Sequence, residues 1–325
     1  MGVAASDAQV DLGFLRESAR EFLAGRGEKD SLEDLAAMDW TGLLVAEVHG
    51  GAGWLPVEAA VVAEELGRAG DRSAWLGTTI AAAALSSAPS AIRDQWLMPV
   101  INGATTAGVA LAADTVRVAG GDALDIIVTL GQNGIHLFQL GETTPRSRDD
   151  ELLDVSRVGW RIGLGASEGV AIGDVERADQ LLAMARVLLS ADSLGAVSAT
   201  FARLVAYLKD RIAFGAPIAS FQAVQHRLVE LLVLEAKSRA IVMKAARALA
   251  SETIDGDSAS LSMAAHAFVT STASAAVDEC MQLSGGIGFT WEYPLHHELR
   301  RVFTNGYLLG TARSSRTAFA ARAGW

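Results

Sequence analysis

The sequence has one cysteine, six prolines and three tyrosines, and aromatic residues fill only 6% of its 325 positions. A lone thiol, Cys280, excludes an intramolecular disulfide and any multi-cysteine metal site; in an alanine-rich helical stretch it reads as a small packing group. No cluster of Lys and Arg stands out against a formal net charge of -11, which argues against a nucleic-acid surface. Long apolar runs are also absent. The longest, Trp75 to Ala88, is interrupted by Thr78, Thr79, Ser86 and Ser87 and is too short and too polar to span a bilayer. The first residues carry Asp7 and Asp11 where a targeting segment would have a basic start and an apolar stretch. The expectation is a cytoplasmic protein that binds neither membrane nor nucleic acid.

What is abundant is apolar and helix-forming. Half the residues are hydrophobic and mean hydropathy is +0.27, enough for a core and a sizeable subunit interface. Val10, Phe14, Leu15, Phe22 and Leu23 recur at helical spacing, with Arg16, Glu17 and Arg20 on the other face. A second pattern through Leu32, Leu35, Met38 and Trp40 breaks at His49-Gly50-Gly51-Ala52-Gly53. Helices are predicted over 57–69, with Glu64 and Glu65 pointing away from the apolar stripe, and over 76–86 and 91–102. After Gly103 the pattern shortens to strand-like runs at 109–112, 126–129, 135–138 and 158–164, with a charged loop from Glu142 to Asp154. Four long helical stretches follow, at about 178–211, 221–251, 258–284 and 294 to the end. The fold class read from this is mainly α with a small β segment. It divides into an N-terminal helical domain (1–103), a reduced middle β domain (104–177) and a C-terminal four-helix bundle (178–325).

Two motifs sit at breaks between the C-terminal helices. In the first, Arg211, Phe214-Gly215, Pro217, Phe221-Gln222 and Gln225-His226 span a helix end, a turn and the next helix start. A guanidinium there can bind two oxygens of a pyrophosphate, Phe214 offers a flat face for stacking, and Gln222 carries both donor and acceptor. Taken alone, Arg211 reads first as a partner of the helix dipole. In the second, Gln282 precedes Gly285-Gly286-Ile287-Gly288 and then Glu292-Tyr293-Pro294. Glycines there allow a ligand close to backbone N–H groups, but glycine is also the usual helix stop. The cluster follows no strand, so it is not a dinucleotide fingerprint.

Together the two motifs resemble the acyl-CoA dehydrogenase family, with R-x-x-F-G-x-P-I-x-x-F-Q-x-x-Q-H and Q-x-x-G-G-x-G-x-x-x-E-Y-P at intact internal spacing. Leu43 to Gly53 is similar to that family's first glycine turn, with Ala46 in place of proline, and 60–67 to the helix after it. The resemblance covers nearly the whole chain and is weakest over 105–174. It implies that Arg211, Phe214, Gln222, Gln282, Gly285 and Gly286 bind the adenosine-pyrophosphate half of FAD, reaching across a dimer interface into the neighbouring subunit.

The same resemblance implies a loss. The family reaction needs a carboxylate to remove the acyl α-proton. Its usual position is Leu309, in Tyr307-Leu308-Leu309-Gly310-Thr311, and the alternative position on the first long C-terminal helix is Ala185. No Asp or Glu follows Glu298. Asp192 is the nearest substitute and reads as a polar or interface residue; Glu292 is structural by resemblance. Around 107–114 the flavin-ring signature is missing, and Asp122 to Val128 resembles a family strand arriving early because a hairpin is gone. No residue of this chain is therefore assigned as catalytic. The chain is expected to be one subunit of a heterodimer or α2β2 acyl-CoA dehydrogenase of the actinobacterial steroid-degrading kind. A homologous partner would supply the base and the ring pocket for a shared FAD, with an acyl-CoA substrate and an electron-transfer partner; no metal is implied. A flavin monooxygenase relative and a non-enzymatic acyl-CoA-binding or scaffolding subunit are the alternatives.

Overall fold

A computed structural model describes residues 11–26, 31–165, 167–251 and 255–325; Asp7 and Val10 lie outside them. The described residues open with five α-helices: α1 (Leu12–Gly25), α2 (Leu32–Ala36), α3 (Pro56–Ala69), α4 (Trp75–Ser86) and α5 (Ser90–Ile101). A small ladder, β1 (Leu44–Val45) with β2 (Gly53–Trp54), encloses the first glycine turn. Pro56 starts α3 at the position where a missing N–H costs nothing, and Gly70 ends it at φ 69°.

The middle region is richer in strands than the sequence pattern predicts. A four-stranded sheet joins β3 (Ala107–Leu111), β5 (Ile126–Gly131), β6 (Gly134–Gln139) and β9 (Val170–Gly173) in that order. A second sheet runs β4 (Thr115–Gly120), β8 (Val158–Gly163), β7 (Arg146–Arg148). The expected loop over 142–154 thus contains β7, whose three residues are all exposed and give no alternating signal. The interval before Asp122 holds β4, which leaves the first sheet to pair with β8. Along β5, Ile126, Val128 and Leu130 join the helical core while Ile127 packs with Val116, Val118 and Ile162 of the second sheet. Period-two alternation thus glues the sheets to each other and to the helices.

Five helices complete the fold: α6 (Val175–Asp210), α7 (Gln222–Ala248), α8 (Gly256–Ser284), α9 (Leu295–Leu308) and α10 (Ala312–Arg322). The expected last helix is two, because Gly310 takes φ 100° and Thr311 begins a capping box with Ser314. At 36 residues α6 is long and apolar enough to cross a membrane, but 89% of its apolar window is buried in the protein. It is the central core helix. It crosses α3 so closely that a Cβ at Gly195 would lie 1.9 Å from the Glu64 carbonyl oxygen, and one at Gly67 2.0 Å from that of Asp192.

Glu64 and Glu65 correct the sequence reading. Both are buried, and Arg16, Arg20 and Arg239 hold their carboxylates at 2.8–3.1 Å. A carboxylate out of water needs such partners, and the arginines come from α1 and α7. Cys280 is buried as expected, and burial pushes its thiol up to about 12.

Candidate nucleotide-binding end and the lost base position

Because α6, α7 and α8 alternate in direction, the end of α6, the start of α7 and the end of α8 fall at one end of the bundle. Arg211 caps α6, and β10 (Ile212–Ala213) and β11 (Ala216–Pro217) form a two-residue hairpin around Phe214-Gly215. Arg227, on α7, donates to both carboxylate oxygens of Glu279 on α8 at 2.8 and 2.6 Å. That pair lies five residues beyond Gln222 and three before Gln282, so it ties the two motifs together. Tyr293, from the second motif, packs on Tyr207, one helical turn before Arg211, with ring centres 6.0 Å apart.

The motif side chains face outward. Arg211 is exposed, and among the described residues its guanidinium has no hydrogen-bond or ion-pair partner. Phe214 is 99% exposed and sits at φ 51°, a region a bulky residue enters only under local strain. Its ring meets that of Phe221 edge-on at 6.3 Å. Gln222 and Gln282 are exposed as well. Gly285 needs its φ of 67°, whereas Gly286 has neither a positive φ nor any atom within 4 Å of where a Cβ would stand. Packing therefore does not require a glycine at 286. Glu292 is exposed and has no side-chain partner among the described residues, so Tyr293, not Glu292, carries the structural contacts of this turn.

The two base positions converge on one place, and neither holds a carboxylate. Leu309 is 1% exposed and part of the core; Ala185 is fully buried. Arg186 spans the gap, its Nε donating to the Leu309 carbonyl at 3.0 Å and its Nη2 standing 3.1 Å from the Cβ direction of Gly310. A guanidinium is a donor only and takes no proton. Asp192 is no substitute. Arg301 donates to both its oxygens, at 2.9 and 2.5 Å, and Asn305 adds a third bond at 2.6 Å. Burial pushes its pKa up, but the Arg301 charge and these bonds outweigh it and hold the carboxyl below the usual range.

Between the strands and α9 lies a cleft of about 370 Å³, lined by Ala110, Leu111, Ala113, Thr115, Thr304 and Tyr307 among others. Its walls are mainly apolar, and among the described residues the only carboxylate lining it, Glu151, is held by Arg117 and Arg161 at 2.5 Å each. Sequence reasoning missed Thr304, whose hydroxyl accepts from the Asp154 N–H at 3.0 Å, because only the fold brings the two together.

This architecture places helices on either side of a small two-sheet unit, with outward-facing turns at one end of a helix bundle. The chain belongs to the acyl-CoA dehydrogenase family, a family of oxidoreductases. Residues 14–104 match the family's N-terminal domain and residues 175–324 its C-terminal domain. It is 35% identical over 272 residues to acyl-CoA dehydrogenase IpdE2 of Mycolicibacterium smegmatis, covering 83% of this chain and 80% of that protein. Its fold is similar to a variant of the Tcur3481-Tcur3483 steroid ACAD (TM-score 0.83, 23% identity, 96% of this chain and 97% of that one). It is likewise similar to the ChsE4-ChsE5 complex of Mycobacterium tuberculosis (TM-score 0.81, 19% identity, 100% and 99%).

Proposed function

We propose that this chain is the non-catalytic subunit of a heteromeric acyl-CoA dehydrogenase, lending the adenosine-pyrophosphate half of an FAD site to a homologous catalytic chain. The observation that carries the reading is the contrast between the two ends. At the bundle end, Arg211, Phe214, Gln222 and Gln282 face outward, and Gly285 and Gly286 leave the backbone bare beside them. At the base position, Leu309 and Arg186 close the site with groups that accept no proton.

The residues at the bundle end fit the nucleotide half of FAD. Arg211 would hold phosphate oxygens, Phe214 would cover a planar base, and the bare backbone at Gly285-Gly286 would permit close approach. When bound, FAD supplies the hydride acceptor of the dehydrogenation. The rest of the reaction, above all α-proton removal, falls to a carboxylate of the partner. Heteromeric composition and a steroid-derived CoA thioester are supported by the names of the fold relatives, two of them two-protein assemblies and one a steroid ACAD. An electron-transfer partner follows from the need to reoxidise the flavin.

The test is Arg211→Ala in the complex co-purified with its catalytic partner. Loss of a charge-assisted phosphate contact, about 1.5–3 kcal/mol, weakens FAD binding roughly 10- to 100-fold. Unchanged FAD content and affinity would refute the half-site and favour a scaffolding role.

A further inference from the structure

From Gln222 to Glu230 no residue of α7 is buried; Leu231 is the first that is. Val224 and Leu228 rest on the core only half-buried, so apolar packing grips the start of this helix lightly. The end of α8 is different, because Cys280, Met281 and Ser284 are buried there. Gln222 thus stands on a lightly packed helix start and Gln282 on an anchored helix end.

One side-chain contact joins the two. Arg227 donates through Nε and Nη2 to the two oxygens of Glu279, and Gln282 lies one turn beyond Glu279 on the same face of α8. Among the described residues, no other side-chain hydrogen bond or ion pair links 222–230 to another α-helix. Gln225 donates to the Ala219 carbonyl in the turn before α7, and Glu230 stands 3.8 Å from Arg227 on α7 itself. With Arg227 52% exposed, the pair contributes little to folding, since water and salt screen it. What a guanidinium fork on a carboxylate fixes is geometry: two parallel bonds set both the distance and the rotation between their carriers. Both prongs of Arg227 are engaged by Glu279, unlike the guanidinium of Arg211.

We propose that Arg227 and Glu279 are positioning residues of the nucleotide half-site. They tether the lightly packed start of α7 to the anchored end of α8, so that Gln222 and Gln282 meet one FAD together, and neither touches FAD itself. The proposal rests on the half-site reading and names what sets the width of that site.

The experiment measures FAD dissociation from the complex with the catalytic partner, as the rise of flavin fluorescence on dilution. Arg227→Met and Glu279→Gln are each expected to weaken FAD binding about threefold or more. The urea midpoint of this chain and its sedimentation with the partner stay as in the parent protein. Arg227→Lys loses less than Arg227→Met, because an ammonium keeps the charge but not the fork. The exchanged pair Arg227→Glu/Glu279→Arg brings FAD affinity back to within about twofold of the parent, since the tether works in either direction. Single variants with parent-like FAD affinity overturn the proposal. So does a loss that the exchange fails to repair, which would make Arg227 a direct ligand of FAD or of the partner. A loss that follows a lower urea midpoint overturns it too. Arg211→Ala separates the two readings. If it weakens FAD binding while the Arg227 and Glu279 variants do not, the tether alone fails; if all of them leave FAD binding unchanged, the half-site fails as well.

Discussion

Asp192 shows what a single carboxylate is for in this chain. With three hydrogen bonds from Arg301 and Asn305, its removal leaves a buried guanidinium without its counter-charge. Asp192→Ala is therefore predicted to cost about 3–5 kcal/mol of stability, measured by urea unfolding. A change under 1 kcal/mol would mean the pair is not what holds α6 to α9. His266 gives a pH signature. Its ring is fully buried, Nδ1 meets Ser315 at 2.9 Å, and burial with the Arg186 charge lowers its pKa to about 4. The unfolded chain takes up this proton near pH 6.5 and the folded chain does not until about pH 4. Stability is thus full above about pH 6.5 and falls by about 3 kcal/mol as the pH drops to 4. His266→Gln should flatten that slope in acid unfolding curves; an unchanged slope would assign it to other groups. The candidate site was legible at this scale because Arg211, Gln282 and Leu309 are read by motif spacing. The partners of Glu64 and Glu65 were not, since Arg16 and Arg239 lie 48 and 175 positions away and only packing brings them in.

Between elements, the tightest constraint is the crossing of α3 and α6. Gly195→Ala would drive a methyl group into the backbone of Glu64, so the helices must separate. The expected loss is about 3 kcal/mol or more, seen as a fall in unfolding midpoint, with Gly306→Ala as the tolerated control because its Cβ position is 3.7 Å from the nearest atom. Helices were legible where periodicity and caps agree: α3, α4 and α5 fall within a residue of the ranges read from the pattern. The strands β7 and β9 were not, because short strands with exposed positions carry little period-two signal; β4 was passed over although Thr115-Val116-Arg117-Val118 alternates exposed and buried. The break before α10 did have a signal, Gly310 followed by Thr311 and Ser314, which the long helical pattern on either side masked.

As a whole molecule, the chain leaves one long helix face uncovered. On α7, Val229, Leu232 and Val233 are 57%, 53% and 44% exposed and lie on one face, next to the bundle end that carries Arg211. Under the proposed function this stripe is covered by the partner. Leu232→Asp is predicted to lower association with the catalytic chain at least tenfold by analytical ultracentrifugation, while the far-UV spectrum of the lone chain stays the same. Unchanged association would move the interface elsewhere. Under the proposed function, the asymmetry of the whole, with exposed motif side chains at one end and no carboxylate at the base position, reduces to a count of flavins. FAD released by denaturation and measured against protein gives it directly. The account predicts about one FAD per pair of unlike chains and none retained by this chain purified alone. One FAD per copy of this chain in a homo-oligomer, with acyl-CoA dehydrogenation, would contradict it.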